Sequence, residues 1–112
     1  MSDLATSGRV LIAAAEAGDH RAYNDAARNF VELITFAVAD DITAMLHQLL
    51  AADWMGLPPW ARNLSYRLAC LQRPGDAELH REAAADLFSF GPDWDDDAER
   101  LRAEADKIDR ER

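Results

Sequence analysis

Four short clusters of glycine, proline and aspartate divide this chain into segments that have the residue spacing of helices. They lie at residues 18–19, 56–59, 74–76 and 91–93. Glycine can end a helix in a left-handed conformation, proline fits the first turn of the next helix, and aspartate caps a helix N-terminus. No stretch between the clusters alternates apolar and polar residues, so no strand is predicted. The pattern therefore predicts an all-α fold.

The segments between these clusters predict about five helices in a single domain that covers residues 1–112. A chain of this length buries enough surface for one core. The connections are short, so neighbouring helices are expected to form antiparallel hairpins in a compact helical bundle. The predicted helices span residues 7–17, 20–54, 58–72, 77–90 and 94–110.

The second predicted helix, residues 20–54, is much longer than the others. Its apolar residues keep helical spacing from Ala27 to Leu49, straight through the acidic pair Asp40 and Asp41. A continuous apolar stripe favours one long helix. A helix that is kinked, or broken near the acidic pair, is the alternative.

Two proline-tryptophan pairs, Pro58 with Trp60 and Pro92 with Trp94, stand 34 residues apart. This spacing equals the period of tetratricopeptide helical hairpins. The residues after the two tryptophans diverge, and the small and large residues which that repeat requires are out of register. The favoured interpretation is that each proline starts a helix and each tryptophan packs on the turn before it. Tetratricopeptide-like hairpin packing is the alternative.

The net charge of −9 is distributed unevenly along the chain. Residues 1–55 and 93–112 are acidic, whereas residues 56–92 carry four basic and four acidic side chains. Such a chain is poorly suited to contact phosphates, so we expect neither nucleic-acid binding nor attachment to an anionic membrane. A partner attracted by this charge would be a basic protein.

The apolar segments and the cysteine content predict a cytoplasmic protein. The stretch from Phe30 to Leu50 is interrupted by charged side chains such as Glu32, so it predicts a core helix rather than a membrane span. The N-terminus lacks the basic segment and apolar run of a secretory signal. Cys70 is the sole cysteine, which excludes an intrachain disulfide. The preference for arginine over lysine, with abundant alanine, indicates a GC-rich bacterial genome.

An acid-rich segment near the C-terminus has the spacing of a calcium-binding loop. The acids that match positions 1, 3, 5 and 12 of that loop are Asp93, Asp95, Asp97 and Glu104. Ala98 occupies position 6, where the loop requires glycine for its sharp turn. The segment is therefore expected to start a helix, with Asp93 as its cap and Asp95–Asp97 in its first turn, where the helix dipole favours acids.

No catalytic or cofactor-binding pattern appears in the sequence. His20, His47 and His80 do not combine with other side chains into a set of three or four zinc ligands, and we expect them to be partly exposed. His47 follows Asp40 by seven residues, a spacing that suits either a polar pair or a solvated edge. Cys70 lies in an apolar segment and is expected to be inert, with a raised pKa. We therefore predict neither enzymatic activity nor a cofactor or metal.

The turn between the second and third predicted helices is the first candidate for a binding surface. The segment Trp54–Trp60 holds two of the three tryptophans, a methionine and two prolines. Tryptophan and methionine are enriched at protein interfaces, and tryptophan is enriched at binding hot spots. The predicted partner-binding residues are Trp54, Leu57 and Trp60, supported by Arg62 and Arg67 on the following helix. The alternative is a packed corner in which both indoles face the core.

The second candidate is the acid triplet Asp95, Asp96 and Asp97, which suits a basic partner. The helix that this triplet starts also carries an apolar seam at steps of three and four residues. The seam consists of Trp94, Ala98, Leu101, Ala105 and Ile108. It predicts that the helix docks along the domain. The alternative is that it pairs with a second copy of the chain in a homodimer.

By elimination, the sequence predicts a small acidic protein-interaction domain without enzymatic activity, such as an adaptor or a regulatory subunit. The alternative is an inhibitor or immunity protein, or a nucleic-acid mimic, that neutralises a cationic target protein. A third hypothesis, a small-molecule binder with its ligand between helices, depends on a cavity that sequence patterns do not reveal.

Overall fold

A computed structural model describes residues 3–112 as six α-helices and one short 3-10 turn. The all-α prediction is confirmed, with six helices in place of the five expected. Within residues 3–112 no strand forms, and no helix is both long enough and apolar enough to cross a membrane. The helices are α1 (Asp3–Ala17), α2 (His20–Thr35), α3 (Ala39–Ala52), α4 (Pro59–Gln72), α5 (Ala77–Phe88) and α6 (Asp95–Arg110), and the turn Pro92–Trp94 precedes α6.

Residues 36–38 separate α2 from α3, so the prediction of one helix over residues 20–54 is wrong. The side-chain amide of Gln72, at the end of α4, satisfies the backbone at this break. It accepts a hydrogen bond from the Ala39 N–H at 2.7 Å and donates one to the Ala37 carbonyl at 2.8 Å. These two bonds replace backbone bonds that a continuous helix would have made.

The alternative, a break near Asp40 and Asp41, agrees with the structure, because the break ends two residues before Asp40. Both acids lie in the first turn of α3, where the helix dipole favours negative charge. The apolar residues of α2 and α3, such as Phe30 and Ile42, nevertheless belong to one core cluster. Two helices that line the same core therefore produced the stripe that resembled one helix.

Each helix packs mainly on its neighbour in sequence, and α1 also packs on α3. Arg62 pairs with Asp86, and Tyr66 bonds Glu82, so α4 and α5 run in opposite directions. The largest core cluster is formed by residues of α1 to α5. A smaller cluster lies between α5 and α6.

The C-terminal helix α6 docks along α5 through its predicted seam. Two seam residues are fully buried and three are half-buried, namely Ala98 and Ala105, and then Trp94, Leu101 and Ile108. Asp95–Asp97 occupy the first turn, as predicted. Asp93 is not the cap, because the 3-10 turn contains it and moves the start of α6 to Asp95.

The turn between α3 and α4 differs from its prediction at Gly56. A left-handed conformation was expected there, but among the described glycines only Gly18 and Gly91 have positive φ, at 71° and 95°. The space around Gly56 is restricted instead. A Cβ atom at this position would lie 2.6 Å from Asp53 Oδ2 and 3.1 Å from Ile12 Cγ2.

Gly56→Val is therefore expected to destabilise the fold by about 1 kcal/mol or more, because the added atoms displace Asp53 and press on Ile12 of α1. Urea denaturation followed by circular dichroism measures the change. Gly75→Val is the matched control, since a Cβ atom there meets nothing within 4 Å. Equal stability of the two variants would contradict the close approach at Gly56.

Candidate functional site

Three apolar side chains form a surface where α3 turns into α4. Trp54 is 46% exposed and Met55 is 72% exposed. The Trp54 indole stacks on the ring of Phe90, just after α5, with ring centroids 6.2 Å apart and planes within 8°. We call the surface formed by Trp54, Met55 and Phe90 the Trp54 corner. It joins the α3–α4 turn to the end of α5.

A fully buried arginine on α4 lies against both rings of the Trp54 corner. The Arg62 guanidinium carbon is 4.5 Å from the Trp54 ring centroid and 4.8 Å from that of Phe90. Its Nη1 donates a 2.6 Å hydrogen bond to the Trp54 carbonyl oxygen. Arginine stacks well on aromatic rings because its planar charge is weakly hydrated.

The charge of Arg62 is balanced by Asp86 on α5, which is also buried. Nε of Arg62 donates to the two Asp86 carboxylate oxygens at 3.1 and 3.3 Å, and Nη2 donates to Oδ1. A buried ion pair is tolerated only when its hydrogen bonds are satisfied. Within residues 3–112 no fully buried side-chain nitrogen or oxygen lacks a partner. The Trp54 corner therefore rests on a polar support with fixed geometry.

The other two predicted residues of this segment pack into or against the main core. The Trp60 indole N–H donates a 2.7 Å hydrogen bond to the Tyr23 hydroxyl, and its ring meets Phe30 edge-on. Leu57 is buried in the main core. The alternative in which both indoles face the core is thus correct for Trp60 and wrong for Trp54.

The two arginines predicted to support the corner occupy different environments. Arg62 is buried beneath the Trp54 corner, so it holds the rings in place without itself reaching the surface. Arg67 is exposed, but it lines a groove between α4 and α6. The structure therefore brings Arg62 to the candidate site and places Arg67 outside it.

The acid triplet is connected to the Trp54 corner by a short link. Asp95 follows Phe90 by five residues, which limits their separation to about 18 Å. Asp97 pairs with Arg100 at 3.2 Å, whereas Asp95 and Asp96 form no ion pair within the described chain. Two carboxylates of the triplet therefore have no ion-pair partner within the described chain, and the short link keeps the triplet near the Trp54 corner.

A hydrogen-bonded network ties α3, α4 and α5 together away from this site. The Tyr66 hydroxyl donates to Glu82 at 2.8 Å, and His47 Nε2 lies 3.0 Å from both Glu82 oxygens. Burial, and then the hydrogen bond to Glu82, raise the pKa of Tyr66 well above its usual value. His47 does not pair with Asp40, because the Asp40 carboxylate is bound by Arg73.

Cys70 is buried as expected. Burial raises the pKa of its thiol to about 11, with smaller contributions from Asp76 and Glu82. His80 is also buried, which corrects the expectation of partial exposure. No group of three or more histidine, cysteine or acidic side chains within residues 3–112 is arranged to hold a metal ion.

No family model, curated protein or solved structure matches this chain.

Sequence patterns missed two residues of the site, Asp86 and Phe90. A signal for Asp86 existed. Arg62 lies next to Ala61 near the start of one predicted helix. Asp86 interrupts the apolar run Ala83–Leu87 of the next predicted helix. Opposite charges on the inward faces of a helical hairpin predict a buried pair. Phe90 was predicted to end the helix over residues 77–90, and nothing in its spacing indicated that it stacks on Trp54.

Proposed function

We propose that this protein is a small, non-enzymatic binding module that docks a basic, apolar-containing segment of a larger protein onto the Trp54 corner. The observation that carries this proposal is the Trp54 indole, which is half exposed yet held by contacts with the Phe90 ring and with the buried Arg62. A large aromatic side chain that is already fixed loses little conformational entropy when a partner covers it. Such an anchor is typical of a binding hot spot.

Met55 adds a second exposed apolar side chain beside this anchor. Its unbranched, polarisable side chain adapts to the shape of a partner. Trp54 and Met55 together therefore suit an apolar side chain of the partner, with one rigid and one adaptable contact.

Charge supports a basic partner. The exposed Asp53 directly precedes Trp54, and the exposed Asp93 and Asp96 lie in the segment after Phe90. The whole chain carries a net charge of −9. Acidic side chains around an apolar anchor speed the approach of a basic protein and disfavour an acidic one.

The inhibitor or immunity function is a second candidate, in which a cationic target is neutralised by the acid triplet. The absence of internal ion pairs for Asp95 and Asp96 within the described chain favours it. The two candidates differ in whether the Trp54 indole or the acid triplet supplies most of the binding energy.

Replacement of Met55 by a photo-crosslinking amino acid provides the test of a partner. We expect it to capture a discrete basic protein from the native lysate. The same replacement at Phe36, which is 88% exposed, is the matched control. Phe36 and Trp54 flank opposite ends of α3, a 14-residue helix about 20 Å long. Capture that is equal from both positions would contradict a site at the Trp54 corner.

With the captured partner, Trp54→Ala is expected to raise the off-rate roughly 30-fold, which corresponds to about 2 kcal/mol. Phe36→Ala should leave it unchanged. Conversion of Asp95, Asp96 and Asp97 to asparagine should mainly lower the on-rate, and this effect should disappear at high salt. A large loss of affinity in the asparagine variant with little effect of Trp54→Ala would favour the inhibitor function. Tight, saturable binding to duplex DNA at physiological salt would contradict both.

A further inference from the structure

A groove of about 240 Å³ lies between α4 and α6, and α5 forms its floor. The buried Leu87 and the half-buried Leu101 line it, and the exposed Leu71 lies at its rim. No residue of the Trp54 corner lines this groove, so it is a separate feature. Its volume lies just below the roughly 300–1,000 Å³ that is typical of ligand pockets, which restricts an occupant to a small molecule.

His80 places a hydrogen-bond acceptor at the floor of the groove. Its side chain is 5% exposed, and its Nδ1 lies 2.7 Å from the Asp76 carbonyl oxygen. A carbonyl oxygen only accepts, so Nδ1 carries the proton and Nε2 of the neutral ring is an acceptor. Nε2 has no hydrogen-bond partner among the described residues. Every fully buried side-chain nitrogen or oxygen within residues 3–112 has such a partner, so Nε2 is not fully buried. Nε2 is therefore partly accessible, and His80 is one of the residues that line the groove.

Arg67 places a positive charge on the rim above His80. The hydrogen bonds between α4 and α5 set a register in which residue 80 lies level with residue 68. Arg67 is exposed and forms no ion pair within residues 3–112. On the opposite wall, Arg100 is already paired with Asp97 at 3.2 Å. Glu104 lies on that wall too, likewise without an ion pair in the described chain.

We propose that this groove binds a small aromatic carboxylic acid whose far end carries an O–H or N–H donor. The donor bonds Nε2 of His80, the ring packs on Leu87 and Leu101, and the carboxylate faces Arg67 at the rim. A ligand without a donor would leave Nε2 of His80 unpaired when it covers the groove, and this loss weakens its binding. Glu104 limits the ligand to a single negative charge, because a second anionic group would meet its carboxylate.

The probe is para-hydroxyphenylacetate, titrated into the isotope-labelled full chain and followed by NMR. We expect a dissociation constant on the order of 0.1–1 mM, with shifts concentrated in the residues that line the groove. Two matched compounds remove one feature each. We expect roughly fivefold weaker binding for para-methylphenylacetate, which lacks the donor, and for para-hydroxyphenylethanol, which lacks the carboxylate.

Substitutions in the protein test the same contacts by removing the side chain that faces each ligand group. His80→Asn keeps a donor near the position of Nδ1 and removes Nε2, so it should weaken the hydroxy acid roughly fivefold and leave the methyl acid unchanged. Arg67→Gln should weaken both acids and spare the alcohol. Glu104→Gln should strengthen both acids, because it removes a repulsive charge.

Two results would overturn the proposal. One is equal affinity of the native chain for the hydroxy and methyl acids. The other is no binding at about 10 mM, ten times the weakest expected dissociation constant. Both are measured on the native chain, so they decide the question even where His80→Asn fails to fold.

Discussion

Replacement of Asp86 by alanine is expected to lower the free energy of unfolding by about 3–5 kcal/mol. The substitution leaves the fully buried Arg62 guanidinium without its carboxylate partner. A buried charge without a counter-charge bears its full desolvation cost. Chemical denaturation at pH 7 measures the loss from the midpoint and slope of the transition. The matched control is Asp106→Ala, which removes a carboxylate from an exposed ion pair with Arg81 and should change stability far less.

A double variant separates the lost charge from the lost volume. Arg62→Met combined with Asp86→Leu removes both charges and keeps most of the packing, so it should be clearly more stable than Asp86→Ala alone. Near-ultraviolet circular dichroism should also show a loosened Trp54, because Arg62 no longer holds its carbonyl and ring. If Asp86→Ala were as stable as Asp106→Ala, the buried ion pair would be contradicted.

Ala98→Asp is expected to detach α6 from α5 and to cost about 3 kcal/mol or more. Ala98 is fully buried against Ala84 and Leu87, so a carboxylate there is both too large and desolvated without a partner. Hydrogen exchange should show that the amides of α6 lose protection, and circular dichroism should show a loss of helix.

Ala103→Asp is the matched control for this prediction. It makes the same chemical change on the same helix, but Ala103 is exposed. A surface substitution of this kind usually changes stability by less than about 0.5 kcal/mol. Similar protection of α6 amides in the Ala98 and Ala103 variants would mean that the seam does not hold α6 to the domain.

The sequence was sufficient for the fold class because glycine, proline and aspartate act locally. Gly18 is left-handed, as its position before Asp19 suggested, and Asp19 caps α2 by accepting from the Arg21 and Ala22 N–H groups. The break at residues 36–38 could not be predicted in the same way. Its backbone groups are satisfied by Gln72, which lies more than 30 residues further along the chain.

The candidate site was predictable in composition but not in orientation. The Trp54–Trp60 segment contains two indoles with similar local surroundings. Tertiary contacts decide their positions, because the Tyr23 hydroxyl holds Trp60 against the core and the Phe90 ring holds Trp54 at the surface. The role of Arg62 was missed for the same reason, since its partner belongs to the next helix.

The order in which the helices pack has a consequence for how the chain is made. Most contacts join helices that are consecutive in sequence, the main exception being α1 on α3. Folds with such local contacts need little loop closure and fold quickly. During synthesis, the first four helices can therefore gather most of the core before the remainder has been translated. Arg62 gains its counter-charge only when α5 arrives with Asp86. The arrival of α5 thus completes the support of the Trp54 corner, and α6 is added last to a domain that is already formed.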